Sequence, residues 1–254
     1  MEQLHLSPVS HLRGELTPAS DKSISHRGVM LGALSQGPTH IHNFLLGEDC
    51  LSTISCFRQM GVEITLDGSD VTIKGRGLHG LQAPKETLYT GNSGTTTRML
   101  CGILAPQPFS CTINGDASIQ KRPMGRVILP LRQMGAAIQG VEDKFTPLHI
   151  EGRPLTGIHY DMPVASAQLK SALLFAGLYA QGETSLTEPA PSRDHTERMI
   201  RAFGGQVTTN GCDISILPQE ELYATTVEVP GDISSAAFFL VAGVLVPGSE
   251  ILIK

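Results

Sequence analysis

Cationic side chains stand next to hydroxyl-rich segments at three separate places in the chain. Lys22 and Arg27 belong to the first, Lys121 and Arg122 to the second, and Arg193 to the third. Burying an ammonium or guanidinium group without an anionic partner is costly. Arg makes bidentate contacts with phosphate or carboxylate, whereas Lys is a mobile point charge whose pKa can shift. These residue types therefore indicate binding of small anions.

Segments rich in Ser, Thr and Gly run directly into apolar helices in four places. The first turn of a helix exposes unpaired N–H groups and about half a positive charge, which favours phosphate or carboxylate. Hydroxyl residues there are also ordinary N-caps, and capping is the commoner reason for any single helix. Because hydroxyl-rich helix starts recur beside cationic side chains, anion binding is favoured over capping alone. The predicted helices cover residues 23–34, 93–104, 166–177 and 234–243.

These four helices open copies of one repeated pattern. A short strand follows each helix, and in the first three copies a second, amphipathic helix then ends at a glycine, as helices commonly do. The glycines, Gly61, Gly135 and Gly204, are spaced 74 and 69 residues apart. A hairpin closes each copy, as around Asp67-Gly68 in the first. The predicted strands after the four helices cover residues 39–44, 109–114, 184–188 and 250–253.

Each copy is thus a βαβαββ unit of an α/β protein. A helix that is apolar on all sides should be buried. We therefore expect three units to pack their first helices inward around a pseudo-threefold axis, with the sheets outside. An ordinary open α/β sheet is the alternative.

Composition limits the class of protein. The net charge is −5, which argues against a nucleic-acid or anionic-membrane surface. No apolar stretch approaches the roughly 18 residues of a membrane span, and no secretion signal is recognisable. The five cysteines have no CxxC or CxxH spacing, which is typical of buried thiols in a reducing compartment. We expect a soluble, cytoplasmic protein.

Six motifs resemble, in order along the chain, signatures of the bacterial branch of the 5-enolpyruvylshikimate-3-phosphate synthase family. Any one of them would be weak, but six in order are a strong signal. They are DKSISHR at 21–27, GNSGT at 91–95 with Arg98, KRPM at 121–124, SAQLKS at 166–171, SRDHTE at 192–197 and PGDISS at 230–235.

The resemblance implies a fold, a reaction and a domain plan. Family members transfer the enolpyruvyl group of phosphoenolpyruvate to the 5-hydroxyl of shikimate 3-phosphate, in aromatic amino-acid biosynthesis, without metal or organic cofactor. The implied fold is an inside-out α/β barrel with three βαβαββ units per domain. Residues 1–20 are assigned to the second domain, 21–225 to the first, and 226–254 to the start of the second. The three units are expected at about 21–81, 86–158 and 159–223.

The resemblance also implies site residues. Lys22 is expected to reach both substrates and to carry part of the proton transfer that addition and elimination require. Asn92 is expected to shape the second-unit loop. Shikimate 3-phosphate is expected to contact Lys22, Ser23, Arg27, Ser166, Ala167, Gln168 and Arg193. Phosphoenolpyruvate is expected to contact Lys22, Gly94, Thr95, Arg122 and Gln168.

Gly94 has a further implication. A Cβ at this position would intrude into the expected phosphoenolpyruvate pocket. In the family this position is associated with sensitivity to glyphosate, so glyphosate is an expected inhibitor.

Two features depart from a complete family member. Ala19-Ser20 stands where the family has a glycine, so strain or a shifted hinge is expected there if that glycine had a positive φ. The family's acidic proton-handling groups lie beyond Lys254. Either a second domain follows in the natural protein or the sequence was cut there, and the chain alone is expected to bind shikimate 3-phosphate weakly without turnover. The complete protein is expected to be a monomer.

Two other functions stay open. A sister enzyme transfers the same group to UDP-N-acetylglucosamine, but it has Lys-Asn in place of Lys22-Ser23. It also has a reactive cysteine in the second-unit loop, and residues 116–121 contain none. The chain could also be a non-catalytic binding module or one subunit of a split enzyme.

Overall fold

A computed structural model describes residues 7–254, so the first six residues of the predicted 1–20 segment lie outside the described part. In chain order the elements are β1 (Arg13–Leu16), α1 (Lys22–Leu34), β2 (Pro38–His42), α2 (Glu48–Gln59), β3 (Glu63–Asp67), β4 (Asp70–Lys74), β5 (Leu88–Tyr89), α3 (Gly94–Leu104), β6 (Ser110–Asn114), α4 (Gly125–Gln133), β7 (Ala137–Val141), β8 (Phe145–Glu151), β9 (His159–Asp161), α5 (Ala167–Gly177), β10 (Thr184–Thr187), α6 (His195–Ala202), β11 (Val207–Asn210), β12 (Asp213–Ile216), β13 (Thr226–Glu228), α7 (Ile233–Leu245) and β14 (Glu250–Ile253).

Three four-stranded sheets repeat one topology. Their strand orders are β13-β2-β4-β3, β5-β6-β8-β7 and β9-β10-β12-β11. In each sheet the first two strands are parallel and the remaining pairs antiparallel. The second and third units therefore have the predicted βαβαββ order along the chain.

The first unit obtains its leading strand from a distant part of the chain. β13 pairs in parallel with β2, with Val227 opposite Ile41. The chain leaving the third unit thus returns to complete the first sheet, which closes the set of three. Residues 226–228 belong to the 226–254 segment assigned above to a second domain, and the position of that domain boundary stays a prediction.

The first helix of each unit lies inside the molecule. In α1 every residue from 25 to 34 is buried, and the same holds for residues 96–104 of α3 and 169–177 of α5. The strands instead alternate, as in β8, where every second residue is buried against the helices and the others face outward. The expected arrangement of helices inside and sheets outside is confirmed, and the open-sheet alternative is wrong.

Several predicted element ends shift by one or two residues for local reasons. α1 begins at Lys22, one residue early, because the Asp21 carboxylate accepts the Ile24 N–H at 2.8 Å and caps the helix. β2 ends at His42 because Asn43 adopts φ 56°, which a strand cannot continue. The first hairpin turns at residues 68–69 rather than at Asp67-Gly68, since Asp67 still pairs with Asp70.

Two chain segments run side by side where α1 and α7 begin. The Asp21 N–H donates to the Pro230 carbonyl and the Asp232 N–H to the Ala19 carbonyl, both at 2.8 Å. Among the described residues, positive φ at non-glycine positions is confined to residues 43, 142 and 143. Ala19 and Ser20 are therefore unstrained, and the conditional expectation of strain at this crossing is not realised.

Gly102 allows α3 to pass close to α5. A Cβ at Gly102 would lie 1.9 Å from the Ala172 carbonyl oxygen, so the two buried helices would have to separate. Gly102→Ala should lower the free energy of unfolding by about 3 kcal/mol, measured by urea denaturation. Gly125→Ala is the control, because its Cβ would have no atom within 4 Å. Equal stability of both variants would contradict the close helix contact.

Candidate anion-binding site

Arg27 forms the buried base of a first group of polar side chains. It is 2% exposed, yet each of its nitrogens has a partner. Nε donates to Thr196 Oγ1 at 2.6 Å, Nη1 to the Ser23 carbonyl at 2.9 Å, and Nη2 to Ser171 Oγ at 2.8 Å. Burial lowers the pKa of Arg27 to about 10, while the nearby Glu197 opposes that shift. The three hydrogen-bonding partners are uncharged, so they orient the guanidinium without neutralising it.

Arg193 brings a second cation to the same group. Its Nη1 donates to Ser23 Oγ at 3.4 Å and its Nη2 to Ser234 Oγ at 2.7 Å. The side chain therefore joins the starts of α1 and α7. Two predicted site residues, Ser23 and Arg193, are in contact here although 170 positions separate them in sequence.

Lys22 points toward α2. Its Nζ lies 2.8 Å from Asp49 Oδ2, and its side chain is half exposed. Asp49 stands in the first turn of α2, where a carboxylate is favoured by the helix dipole. This partner is not predictable from the motifs, because Asp49 lies outside all of them.

A second group surrounds the start of α3. Gln168 Nε2 donates to Thr95 Oγ1 at 3.1 Å, and Arg98 Nη1 donates to Gln168 Oε1 at 2.9 Å. A Cβ on Gly94 would lie 2.6 Å from Arg98 Nη1 and 3.5 Å from Arg122 Nη1. Gly94 therefore leaves room between two guanidinium groups.

Three arginines gather in this second group without an acidic partner. Arg122 donates to the Asn92 side-chain carbonyl. Burial lowers the pKa of Arg98, and the neighbouring Arg126 and Arg122 lower it further. Within residues 7–254 none of the three takes part in an ion pair. Uncompensated guanidinium groups beside a helix start are well suited to an anion.

The start of α5 connects the two groups. Ser166 caps the helix, its Oγ accepting the Leu169 N–H at 3.4 Å. The Ala167 carbonyl accepts the hydroxyl of Ser171, which contacts Arg27, while Gln168 turns toward Thr95. The predicted residues thus fall into two groups on either side of residues 166–168.

A buried chain of hydroxyl groups lies behind the second group. His26 Nδ1 is 2.7 Å from Thr53 Oγ1, which is 2.7 Å from Thr96 Oγ1, and Thr96 Oγ1 is 2.6 Å from Ser93 Oγ. Ser93 is the N-cap of α3, so the chain links α1 and α2 to the helix start that carries Gly94. Burial lowers the pKa of His26 to about 3, which keeps the imidazole neutral.

Several residues of these groups could not be assigned from the motifs. Ser171 and Thr196 lay within recognised motifs without an assigned role, and Arg98 was quoted only as part of a signature. Arg126 and Asp49 lay in no motif. Lys170, which is buried in α5, did carry a signal in the sequence, because a charge inside an apolar helix must find a buried partner.

The three-unit architecture, with buried helices and outer sheets, defines the class of inside-out α/β barrels. A family model described as EPSP synthase (3-phosphoshikimate 1-carboxyvinyltransferase) matches residues 6–254. The chain belongs to the EPSP synthase family, which confirms the resemblance drawn from the six motifs.

Curated relatives and solved structures agree with this assignment. A 3-phosphoshikimate 1-carboxyvinyltransferase of Bacillus cytotoxicus is 61% identical over 244 residues, covering 96% of this chain and 58% of the relative. One from Bacillus thuringiensis is 56% identical over 256 residues, covering 100% and 60%. A structure of EPSP synthase from Acinetobacter baumannii matches with a TM-score of 0.89 and 52% identity, covering 95% of this chain and 55% of that one.

The chain spans about 58–60% of the length of these curated relatives. In the described part of the chain, every helix is too short or too polar to cross a membrane.

Proposed function

We propose that this chain supplies the substrate-binding part of an enzyme that transfers the enolpyruvyl group of phosphoenolpyruvate to the 5-hydroxyl of shikimate 3-phosphate. The observation that carries the proposal is the pair of cationic groups on either side of residues 166–168. Both substrates carry a phosphate and a carboxylate, so two neighbouring anion sites are what the reaction needs. Family membership and the names of the relatives support the same reaction.

The first group is proposed to hold shikimate 3-phosphate. Arg193 and the start of α5, at Ser166 and Ala167, supply a cation and exposed N–H groups to its phosphate. Ser23 hydrogen-bonds to the same ligand. Arg27 lies beneath them and adds a buried positive charge.

The second group is proposed to hold phosphoenolpyruvate. Arg122 and the N–H groups at the start of α3, around Gly94 and Thr95, contact its anionic groups, and Gln168 contacts both substrates. Lys22 contacts both substrates. It gives up its ion pair with Asp49 to do so, and then takes part in moving a proton to the methylene carbon of phosphoenolpyruvate. The carboxylates that complete the proton transfer are proposed to come from outside this chain. Glyphosate is proposed to inhibit by occupying this second group.

Binding to the chain itself is the direct test. Titration calorimetry should detect shikimate 3-phosphate, and shikimate, which lacks the phosphate, should bind at least roughly 10-fold more weakly because it loses charge-assisted hydrogen bonds worth about 1.5–3 kcal/mol. Equal affinities for the two ligands, or no binding of either, would contradict the proposed phosphate site.

Turnover requires a second component in this proposal. The chain alone should release no phosphate from the two substrates, and adding the remaining part of the Bacillus cytotoxicus relative should restore activity. Phe238, Val244 and Leu245 on α7 are 78%, 86% and 72% exposed, which gives that part an apolar surface to cover.

Glyphosate should inhibit the turnover of this restored enzyme. Turnover unaffected by millimolar glyphosate would contradict the assignment of the inhibitor.

Other functions are less well supported. The UDP-N-acetylglucosamine reaction is disfavoured by Ser23 and by the cysteine-free second-unit loop. The two cationic groups are also consistent with a split enzyme whose second subunit is a separate chain. A cytoplasmic location is proposed because the five cysteines are free thiols, which is typical of a reducing compartment.

A further inference from the structure

A buried cluster of three charges lies below the first group. Lys170, 1% exposed, stands at the end of the first turn of the apolar helix α5. Its Nζ lies 2.8 Å from Glu188 Oε2 and 2.6 Å from Glu197 Oε1, and both carboxylate side chains are at most 2% exposed. Buried ion pairs seldom increase stability over apolar packing, and in some proteins they instead fix one geometry.

We propose that Lys170 is a positioning residue that holds the two arginines of the first group through Glu188 and Glu197. This inference rests on the proposed function for its ligand, shikimate 3-phosphate. In this role Lys170 itself does not contact the substrate.

The first arm of the cluster leads to Arg193. Glu188 follows β10, and its carboxylate accepts both the N–H and the hydroxyl of Ser192. Arg193 is the next residue, and it reaches Ser23 and the start of α7 from there. Lys170 therefore fixes the loop between β10 and α6 at the residue that precedes the exposed arginine.

The second arm leads to Arg27. Glu197 lies in the first turn of α6, directly after Thr196, whose hydroxyl accepts from Arg27 Nε. Ser171, directly after Lys170, lies 2.6 Å from Thr196 Oγ1 and accepts from Arg27 Nη2. The ion pair between Lys170 and Glu197 thus joins the two helices that orient this guanidinium.

The net charge of the cluster is opposite to the charge of Arg27. One ammonium and two carboxylates leave one negative charge, and Arg27 is the cation that Glu197 influences. The four groups together are neutral. The arginines are therefore held in place before the ligand arrives, which reduces the cost of ordering them on binding.

Lys170→Met tests the inference because it keeps an unbranched side chain of nearly the same length and removes its charge. In the 254-residue chain its affinity for shikimate 3-phosphate should fall roughly 10- to 100-fold, by analogy with the loss of a partner that supports a metal ligand. Its affinity for shikimate should change less than about 2-fold, because the arginines act on the phosphate. Titration calorimetry measures both. A purely structural loss would lower both affinities alike, and that result would overturn the proposal.

Hydrogen exchange of the amides at 188–197 provides a second measurement that needs no ligand. Lys170→Met should speed their exchange relative to Lys85→Met, which removes an exposed lysine. Unchanged exchange would overturn the positioning role. If Lys170→Met does not fold, Glu188→Gln tests the first arm alone and should show the same selective loss. Failure of the unsubstituted chain to bind shikimate 3-phosphate would instead contradict the proposed function, while the exchange result still decides whether Lys170 holds the loop.

Discussion

Titration of His26 should lower the free energy of unfolding by about 2–3 kcal/mol between pH 7.5 and pH 4.5. The His26 ring is fully buried, and burial lowers its pKa from 6.5 to about 3. Asp49 opposes this shift, and the positive charges of Arg27 and Lys22 add to it. Below pH 6.5 the unfolded chain binds a proton that the folded chain excludes, so this contribution is present above pH 6.5 and is lost progressively toward pH 3. Urea denaturation at each pH measures the loss.

His26→Asn isolates the contribution from carboxylates that titrate in the same range. Asn retains a polar atom near the position of Nδ1 for Thr53 and does not titrate. Between pH 7.5 and pH 4.5 the free energy of unfolding of His26→Asn should therefore fall by about 2–3 kcal/mol less than that of the wild type. His40→Asn is the matched control, since His40 Nδ1 also lies 3.2 Å from a threonine hydroxyl but on an exposed strand face. An identical pH dependence of wild type and His26→Asn would contradict the prediction.

The repeated units could be predicted from sequence because their signals are local. All-apolar helices after hydroxyl-rich turns, and the glycine after each second helix, give the unit order directly. The return of β13 to β2 could not be predicted in this way. It pairs residues 226–228 with residues 40–42, and neither segment has a sequence feature that identifies its partner strand.

The side chains at the helix starts were predictable from the six motifs, and their roles remain predictions. The layer beneath them was not predictable. Thr196 and Ser171 hold Arg27 only because α5 and α6 converge, and short polar side chains give no sign of such a contact in sequence. Lys170 shows most clearly where prediction from sequence ends. Its apolar helix indicates that it is buried, but its partners stand 18 and 27 positions away, one of them in a loop.

Replacing Arg27 should strongly destabilise the folded chain. Arg27→Met should lower the free energy of unfolding by about 3–5 kcal/mol, the range seen when one member of a buried charge set is removed. The loss follows because Lys170, Glu188 and Glu197 would keep an uncompensated negative charge, and because two hydroxyl groups would lose their donor. Urea denaturation at pH 7.5 measures it, with Arg153→Met at an exposed site as the control.

A second substitution separates stability from binding. Arg27→Met with Glu197→Gln restores neutrality, so the double variant should recover more than half of the lost stability. It should not recover affinity for shikimate 3-phosphate in titration calorimetry, since the buried cation beneath the phosphate is still absent. Additive losses in the double variant would mean that Arg27 and Glu197 do not compensate each other. Recovery of binding together with stability would mean that Arg27 serves the fold alone, and that Arg193 and the start of α5 account for the phosphate.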